Sequence, residues 1–300
     1  MTDRPDAGVS AYAPAKVNLT LRVLGQRTDG YHLIESLMVP VSLYDRIDMT
    51  VRAGDGSIRC AVDGPEPAPA DENNLAATAA RAVLEEVGVR ASVDIRLNKH
   101  IPPGSGLGGG SSDAGAVLRL LPVLLERPVR ASRLADLATR IGADVPFFIG
   151  CRPAIASGIG EVLCAVPHFP DLHLVVVVPV ATVSTAWAYR NALPTAIELT
   201  SGPSSSSRSL RLRLRREPIS SLLFNDFERG VAAAYPDVDR LKSALQRLGA
   251  EGTVMSGSGS AVVGVFRSRR LAAEAAAAIP SPDRAFAVRV LRRRPAVTDG

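Results

Sequence analysis

Eleven residues, Pro102 to Ser112, read Pro-Pro-Gly-Ser-Gly-Leu-Gly-Gly-Gly-Ser-Ser, and they constrain this chain more than any other stretch. Before them Val93 to Leu97 alternates like a strand. After them Ala114, Val117, Leu118, Leu121, Leu124 and Leu125 fall on one helical stripe, with Pro122 expected to kink or end the helix. A strand, a glycine loop and a helix in that order make a cradle for phosphate. Glycines remove the Cβ atoms that would keep a polyanion from the backbone. Serines at a helix start leave N–H groups aimed at it, where the helix dipole also favours negative charge.

Other glycine loops fit less well. A P-loop puts Lys and then Ser or Thr after its last glycine, whereas Gly110 is followed by Ser111 and Ser112, so spacing excludes it. Gly104, Gly106 and Gly109 match the dinucleotide pattern, but the acidic residue at the right distance, Glu126, sits in Glu-Arg-Pro with no second strand leading to it. A flexible linker would be more polar and would not run straight into an apolar helix. Nucleotide phosphate chemistry is the leading reading.

At 300 residues the chain suits two domains sharing a cleft, and we place the boundary at 1–165 and 166–300. Hydrophobic residues at 46% and charged residues at 22% predict that most of it folds. The net charge of +5 fits an anionic ligand as well as it fits nucleic acid. Cys60, Cys151 and Cys164 are odd in number and widely spaced, which predicts neither disulfides nor a zinc site and points to a reducing cytoplasm. No segment is expected to target or cross a membrane.

From Ala13 to Val23 the odd positions are apolar and the even ones are Pro14, Lys16, Asn18, Thr20 and Arg22. This predicts a half-buried strand with Lys16 and Asn18 on one face, about 7 Å apart, and from periodicity alone that face reads as solvated. Gly25 to Gly30 is a turn that presents Tyr31 and His32. Strand-like pieces run to Val62, and Asp63 to Pro69 is a loop. Asn74 opens a helix that Gly88 ends. Ser132 is a cap candidate for a helix ending at Gly142. Leu172 to Val178 reads as a buried strand. Ser201 to Arg216 reads as a mobile insertion with a basic end, Phe224 to Glu228 as the start of a helical region, and Val254 to Ser260 as a second glycine-serine turn. Two such loops in one chain predict a ligand held from both domains.

The ordered set of Pro14-Ala-Lys-Val-Asn-Leu19, Gly25-Gln-Arg-Thr-Asp-Gly-Tyr-His32, Pro102 to Ser112, Gly142-Ala-Asp-Val-Pro146 and Met255-Ser-Gly-Ser-Gly-Ser260 resembles the GHMP small-molecule kinases. It most resembles the branch that acts on the cytidine-bearing alcohol 4-diphosphocytidyl-2-C-methyl-D-erythritol in non-mevalonate isoprenoid synthesis. The resemblance implies an α/β (α+β) fold. An N-terminal domain like ribosomal protein S5 and a C-terminal ferredoxin-like domain would share an active-site cleft.

The resemblance further implies ATP and Mg²⁺ as cofactors, with Lys16 and Asp144 as the catalytic pair. By position alone, before Pro146 on the turn leaving a helix, Asp144 reads as readily as a turn residue. Pro102, Pro103, Gly104, Ser105, Gly106, Leu107, Gly108, Gly109, Gly110, Ser111 and Ser112 would hold the ATP phosphates, and Ser111 or Ser112 the metal. Lys99 and Asn74 would lie near the adenine. Asn18, Tyr31, His32 and Tyr189 would bind the alcohol substrate. Tyr31 and Tyr189 would stack on cytosine and His32 would read its edge, while Trp187 reads as a core anchor. The expected partners are that small molecule and no nucleic acid or membrane, in a monomer or homodimer. The insertion at 201–216 and the basic tail after Arg292 match nothing in the resemblance.

Overall fold

The structure, a computed structural model, describes residues 7–65, 73–193 and 207–299. Its frame is a long hairpin. β1 (Ala7–Gln26) and β2 (His32–Ala53) pair antiparallel from Ala7 opposite Val51 to Gln26 opposite His32. Between them Gly30 takes a φ of +88°, a conformation that glycine enters without steric cost. β4 (Ala91–Asn98) joins β2, and β3 (Ile58–Asp63) joins β4 in parallel. At the other end of β2 come β5 (Ala154–Ser157) and then β6 (Val162–Ala165). Two short strands return from the second half of the chain to pair with β1: β8 (Phe224–Asn225) and β12 (Val297–Asp299).

A second, antiparallel sheet has the order β11-β7-β10-β9, built from β7 (His173–Val178), β9 (Gly252–Met255), β10 (Val262–Phe266) and β11 (Arg284–Arg289). The apolar run of β7 is unbroken because both its faces are covered. Leu174, Val176 and Val178 share a core with Ala15, Val17, Leu19, Leu37, Val39 and Val41 of the hairpin. Val175 and Val177 pack with Val238, Leu241 and Leu245 of one helix (Asp237–Arg247) and with Ala272 and Ala275 of another (Arg269–Ala277).

The opposite end of the hairpin forms a separate core. There Val9, Ala11, Ala13, Ile47, Met49, Val93, Ile95 and Leu97 pack under α1 (Leu75–Val87), α2 (Gly109–Leu124) and α3 (Ala131–Ile141). Asn74 caps α1 by accepting from Ala76 N, and Gly88 ends it at φ +64°. α2 continues only two residues past Pro122, which lacks the N–H for the helical ladder.

Several expectations need correction. The even face of β1 is not solvated: Pro14, Lys16, Asn18 and Thr20 are all buried, because α2 and the second glycine-serine loop cover them. Ser132 lies inside α3 rather than capping it; Arg130 is the cap residue, and the stripe of Leu134, Leu137, Ala138 and Ile141 sets the earlier start. Residues 201–206 lie outside the described residues. The Leu-Arg alternation that follows is a helix (Ser207–Leu214), not a loop end, since Leu210 and Leu214, one turn apart, face the core. Phe224 and Asn225 form strand β8, and helix starts only at Glu228. Beyond Pro65, the loop expected to end at Pro69 lies outside the described residues. Among the described residues no helix is long and apolar enough to cross a membrane.

Candidate active site

The glycine loop joins β4 to α2. Gly104, Gly106 and Gly108 take φ values of +66°, +79° and +73°, and no side chain caps α2 at Gly108. The first-turn N–H groups at Gly109 to Ser111 therefore point out of the helix end, where a phosphate would be favoured. Ser105 folds back on the loop, its hydroxyl donating to the Pro102 carbonyl at 2.6 Å. Leu107 turns its side chain into the hairpin core, and its carbonyl accepts from Lys16 N at 2.9 Å.

The second glycine-serine loop lies directly on this one. A Cβ on Gly106 would fall 2.8 Å from the Ser256 carbonyl, so only glycine permits the approach. Ala261 N donates to the Ser105 carbonyl at 3.3 Å, and Asn18 N donates to Ser256 Oγ at 3.1 Å. Ser258 reaches Thr185 on the next helix (Thr185–Asn191), hydroxyl to hydroxyl at 3.0 Å.

Between the loops and the hairpin lies a cavity of about 540 Å³. Lys16 reaches it from β1 and Asp144 from the residue before a short helix (Val145–Gly150), with Lys16 Nζ 3.2 Å from Asp144 Oδ2. Lys16 Nζ also donates to Asn18 Oδ1 at 2.8 Å. Asn18 Nδ2 donates to Ser36 Oγ at 2.7 Å, and Ser36 Oγ to the Thr20 carbonyl at 2.6 Å. This chain fixes the ammonium while Asp144 stays partly open to the cavity.

At one end of the cavity Tyr189 stands edge-on to Phe227, ring centroids 4.7 Å apart, and its other side meets the His32 ring at 4.9 Å. Burial, aided by the charge of Asp144, pushes the Tyr189 phenol up to about 12. Burial also lowers the His32 imidazole. Tyr31, next to His32 in sequence, is 60% exposed, and Trp187 packs edge-on against Tyr235 at 5.2 Å in the second-sheet core.

At the other end Lys99 is buried between two carboxylates, Asp45 and Asp113. Burial alone would lower Lys99, but the two opposite charges outweigh it and raise its pKa. Asp45 Oδ1 also accepts from His100 N at 2.6 Å and Ile101 N at 2.9 Å, anchoring the start of the loop. Burial pushes the Asp113 carboxyl up to about 7 despite the pull of Lys99, and among the described residues Asp113 Oδ1 has no hydrogen-bond partner.

The cavity thus brings together Lys16, Asn18, Asn74, Lys99, Pro102, Pro103, Gly104, Ser105, Gly106, Gly108, Gly109, Gly110, Ser111, Asp144 and Tyr189. Leu107, Ser112, Tyr31 and His32 lie outside its lining. Ser112 donates its hydroxyl to the Pro14 carbonyl at 2.7 Å, so of the Ser111–Ser112 pair it is Ser111 that lines the cavity. Thr185, Phe227, Ser258 and Asp113 line it without having been expected there. Asp113 follows the loop directly and could have been read with it.

The GHMP kinases N terminal domain model matches residues 74–151, and the GHMP kinases C terminal model matches residues 208–284. The 4-diphosphocytidyl-2-C-methyl-D-erythritol kinase of Syntrophotalea carbinolica is 43% identical over 93% of this chain and 98% of its own. A crystal structure of 4-(cytidine 5'-diphospho)-2C-methyl-D-erythritol kinase superimposes with a TM-score of 0.77 at 37% identity, covering 94% of this chain and 98% of that one. Homoserine kinase from Cytophaga hutchinsonii shares the fold at a TM-score of 0.72 and 20% identity, over 99% and 98% of the two chains. At this identity and coverage the chain belongs to the GHMP kinases and, among them, to the 4-diphosphocytidyl-2-C-methyl-D-erythritol kinases.

Proposed function

We propose that this chain transfers the γ-phosphoryl group of ATP to the 2-hydroxyl of 4-diphosphocytidyl-2-C-methyl-D-erythritol, releasing ADP. The observation that carries this reading is the Lys16–Asp144 pair, 3.2 Å apart inside a cavity that has an uncapped helix start at one side and Tyr189 at the other.

The acceptor oxygen forms a bond to the γ-phosphorus as the bond to the β-phosphate oxygen breaks, and Asp144 takes the hydroxyl proton. Lys16, held by Asn18, keeps that carboxylate ionised and offsets charge on the moving phosphoryl group. Backbone N–H groups of Gly106 to Ser111 receive the phosphates. Little covalent work is left for the protein.

The oxygen-bearing side chains of Ser111 and Asp144 fit a magnesium ion, which takes hard oxygen donors. Among the described residues no cluster of three acidic, His or Cys side chains forms a dedicated cage, while the Ser111 hydroxyl and the Asp144 carboxylate both line the cavity. Ser111 would hold the ion, which when bound neutralises charge on the β- and γ-phosphates.

Tyr31, His32 and Tyr189 would take the cytosine, and the Asn74–Lys99 end the adenine. The test is ADP release from ATP and Mg²⁺ with the cytidine-bearing alcohol, set beside homoserine, mevalonate and galactose. Turnover with the cytidine compound alone supports the reading; turnover with one of the others in its place replaces the substrate and keeps the kinase.

A further inference from the structure

A side chain outside the cavity lining, Asn225, holds the second glycine-serine loop. Asn225, in β8, is buried. Its Nδ2 donates to the Met255 carbonyl at 2.7 Å and to the Gly257 carbonyl at 2.8 Å, and its Oδ1 accepts from Phe227 N at 3.0 Å. Its backbone pairs with Leu21 of β1, so the amide is anchored to the hairpin that carries Lys16 and Asn18. All of the amide's strong bonding positions toward the loop are used, and they bracket the turn on which Gly257 sits at φ +61°.

That turn is in contact with the phosphate cradle. An added Cβ on Gly257 would lie 3.5 Å from the Gly106 carbonyl and 3.4 Å from Asn18 Oδ1, and Ser258 lines the cavity. Gly106 meets this loop most closely at Ser256, whose carbonyl lies 2.8 Å from where a Cβ on Gly106 would sit, so a displacement of the turn carries to Gly106. We propose that Asn225 is a positioning residue for the nucleotide site: by holding the Met255 and Gly257 carbonyls it presses the second loop against Gly106 and keeps the phosphate cradle in its binding shape. The inference rests on the reading of the glycine loop as a nucleotide site. Glu228 shares part of the task, accepting from Met255 N at 2.7 Å, but it does not reach Gly257.

The two halves of the amide separate the two ends of the cavity. Asn225→Asp keeps the acceptor for Phe227 N, and with it the Phe227–Tyr189 contact, but sets an oxygen against two carbonyls. ADP binding, followed by calorimetry, is expected to weaken about tenfold, the scale of one buried hydrogen-bonding group left opposed. The KM for the acceptor alcohol at saturating ATP is expected to rise by no more than about threefold, because the Phe227–Tyr189 contact is kept and the loop meets the substrate side only through Asn18 and Thr185. ADP affinity within about twofold of wild type, or an acceptor KM that rises in step with the ADP Kd, would overturn the proposal. Should Asn225→Asp fail to unfold cooperatively, Asn225→Ala carries the test, with an ADP loss at least about threefold larger than any rise in acceptor KM; equal losses again overturn it. A wild-type chain that binds ADP yet phosphorylates no cytidine-bearing alcohol would defeat the functional reading while leaving the ADP comparison valid.

Discussion

Lys16 Nζ lies 3.2 Å from Asp144 Oδ2, with the lysine side chain 5% exposed and the aspartate 38%. The asymmetry matters more than the distance. Here a fixed cation stands behind a carboxylate that still meets the cavity. Asn18 holds the lysine on its far side, so the ammonium cannot swing away when a substrate enters.

Asp144→Asn keeps the size of the side chain and removes its basicity. If Asp144 takes the hydroxyl proton, kcat falls by about 10² to 10⁴ while ADP affinity is nearly unchanged. Steady-state kinetics beside ADP calorimetry decide it, and near wild-type turnover would reduce Asp144 to a turn residue before Pro146.

The buried group Asp45–Lys99–Asp113 makes stability depend on pH. Asp113 titrates at about 7 in the fold, above the ordinary carboxylate range, so between about 4 and about 7 the folded chain holds a proton that the unfolded chain has released. Its contribution is complete below about 4 and is lost as the pH rises through about 7. Asp113→Asn cannot ionise there. Urea midpoints at about pH 5 and about pH 8 should therefore show the wild type losing stability relative to the variant; parallel behaviour would contradict the assignment. Lys99→Met, which leaves the buried Asp45 carboxylate without its cation, should cost about 3–5 kcal/mol.

Ser111 and Ser112 should separate cleanly. Ser111→Ala is expected to raise the Mg²⁺ concentration needed for half-maximal rate with little change in thermal stability, since Ser111 faces the cavity. Ser112→Ala leaves the buried Pro14 carbonyl without its donor, so it should cost about 1–3 kcal/mol of stability and leave the Mg²⁺ dependence alone. Titrating Mg²⁺ and recording melting curves on both variants checks the pair, and the reverse pattern would move the metal to Ser112.

Much of this site was legible because its chemistry is local in sequence. The glycine loop, the Asn74 cap and the apolar run of β7 each carry their signal within a few residues, and each folds as its pattern implies. What stayed hidden depends on distant contacts. Alternation along β1 marks two faces but cannot say that α2 and the Ser256 turn cover the polar one. Asp45 lies 54 residues from Lys99 with no local mark of its role. Asn225 finds its partners 30 and 32 residues away. The Leu-Arg alternation at 210–215 misled for the opposite reason: a period of two was present, but Leu210 and Leu214 also share a helical face, and the core chose the helix.

Tyr31 is 60% exposed and adjoins His32 in sequence, and under the proposed function it stacks on the cytosine. Stacking of this kind is worth roughly 1–3 kcal/mol per base, so Tyr31→Ala should raise the KM for the cytidine substrate about tenfold and that for ATP much less. Equal effects on both would remove Tyr31 from the base site.

The central claim is the position of phosphorylation, and proton-coupled ³¹P NMR of the product reads it directly. The carbon bearing the 2-hydroxyl carries a methyl group and no hydrogen. Phosphorylation at the 2-hydroxyl gives a new phosphomonoester resonance with no splitting from a proton on that carbon, alongside the retained diphosphate signals and those of ADP. A monoester resonance split by protons on its own carbon, or no new monoester at all, would contradict it.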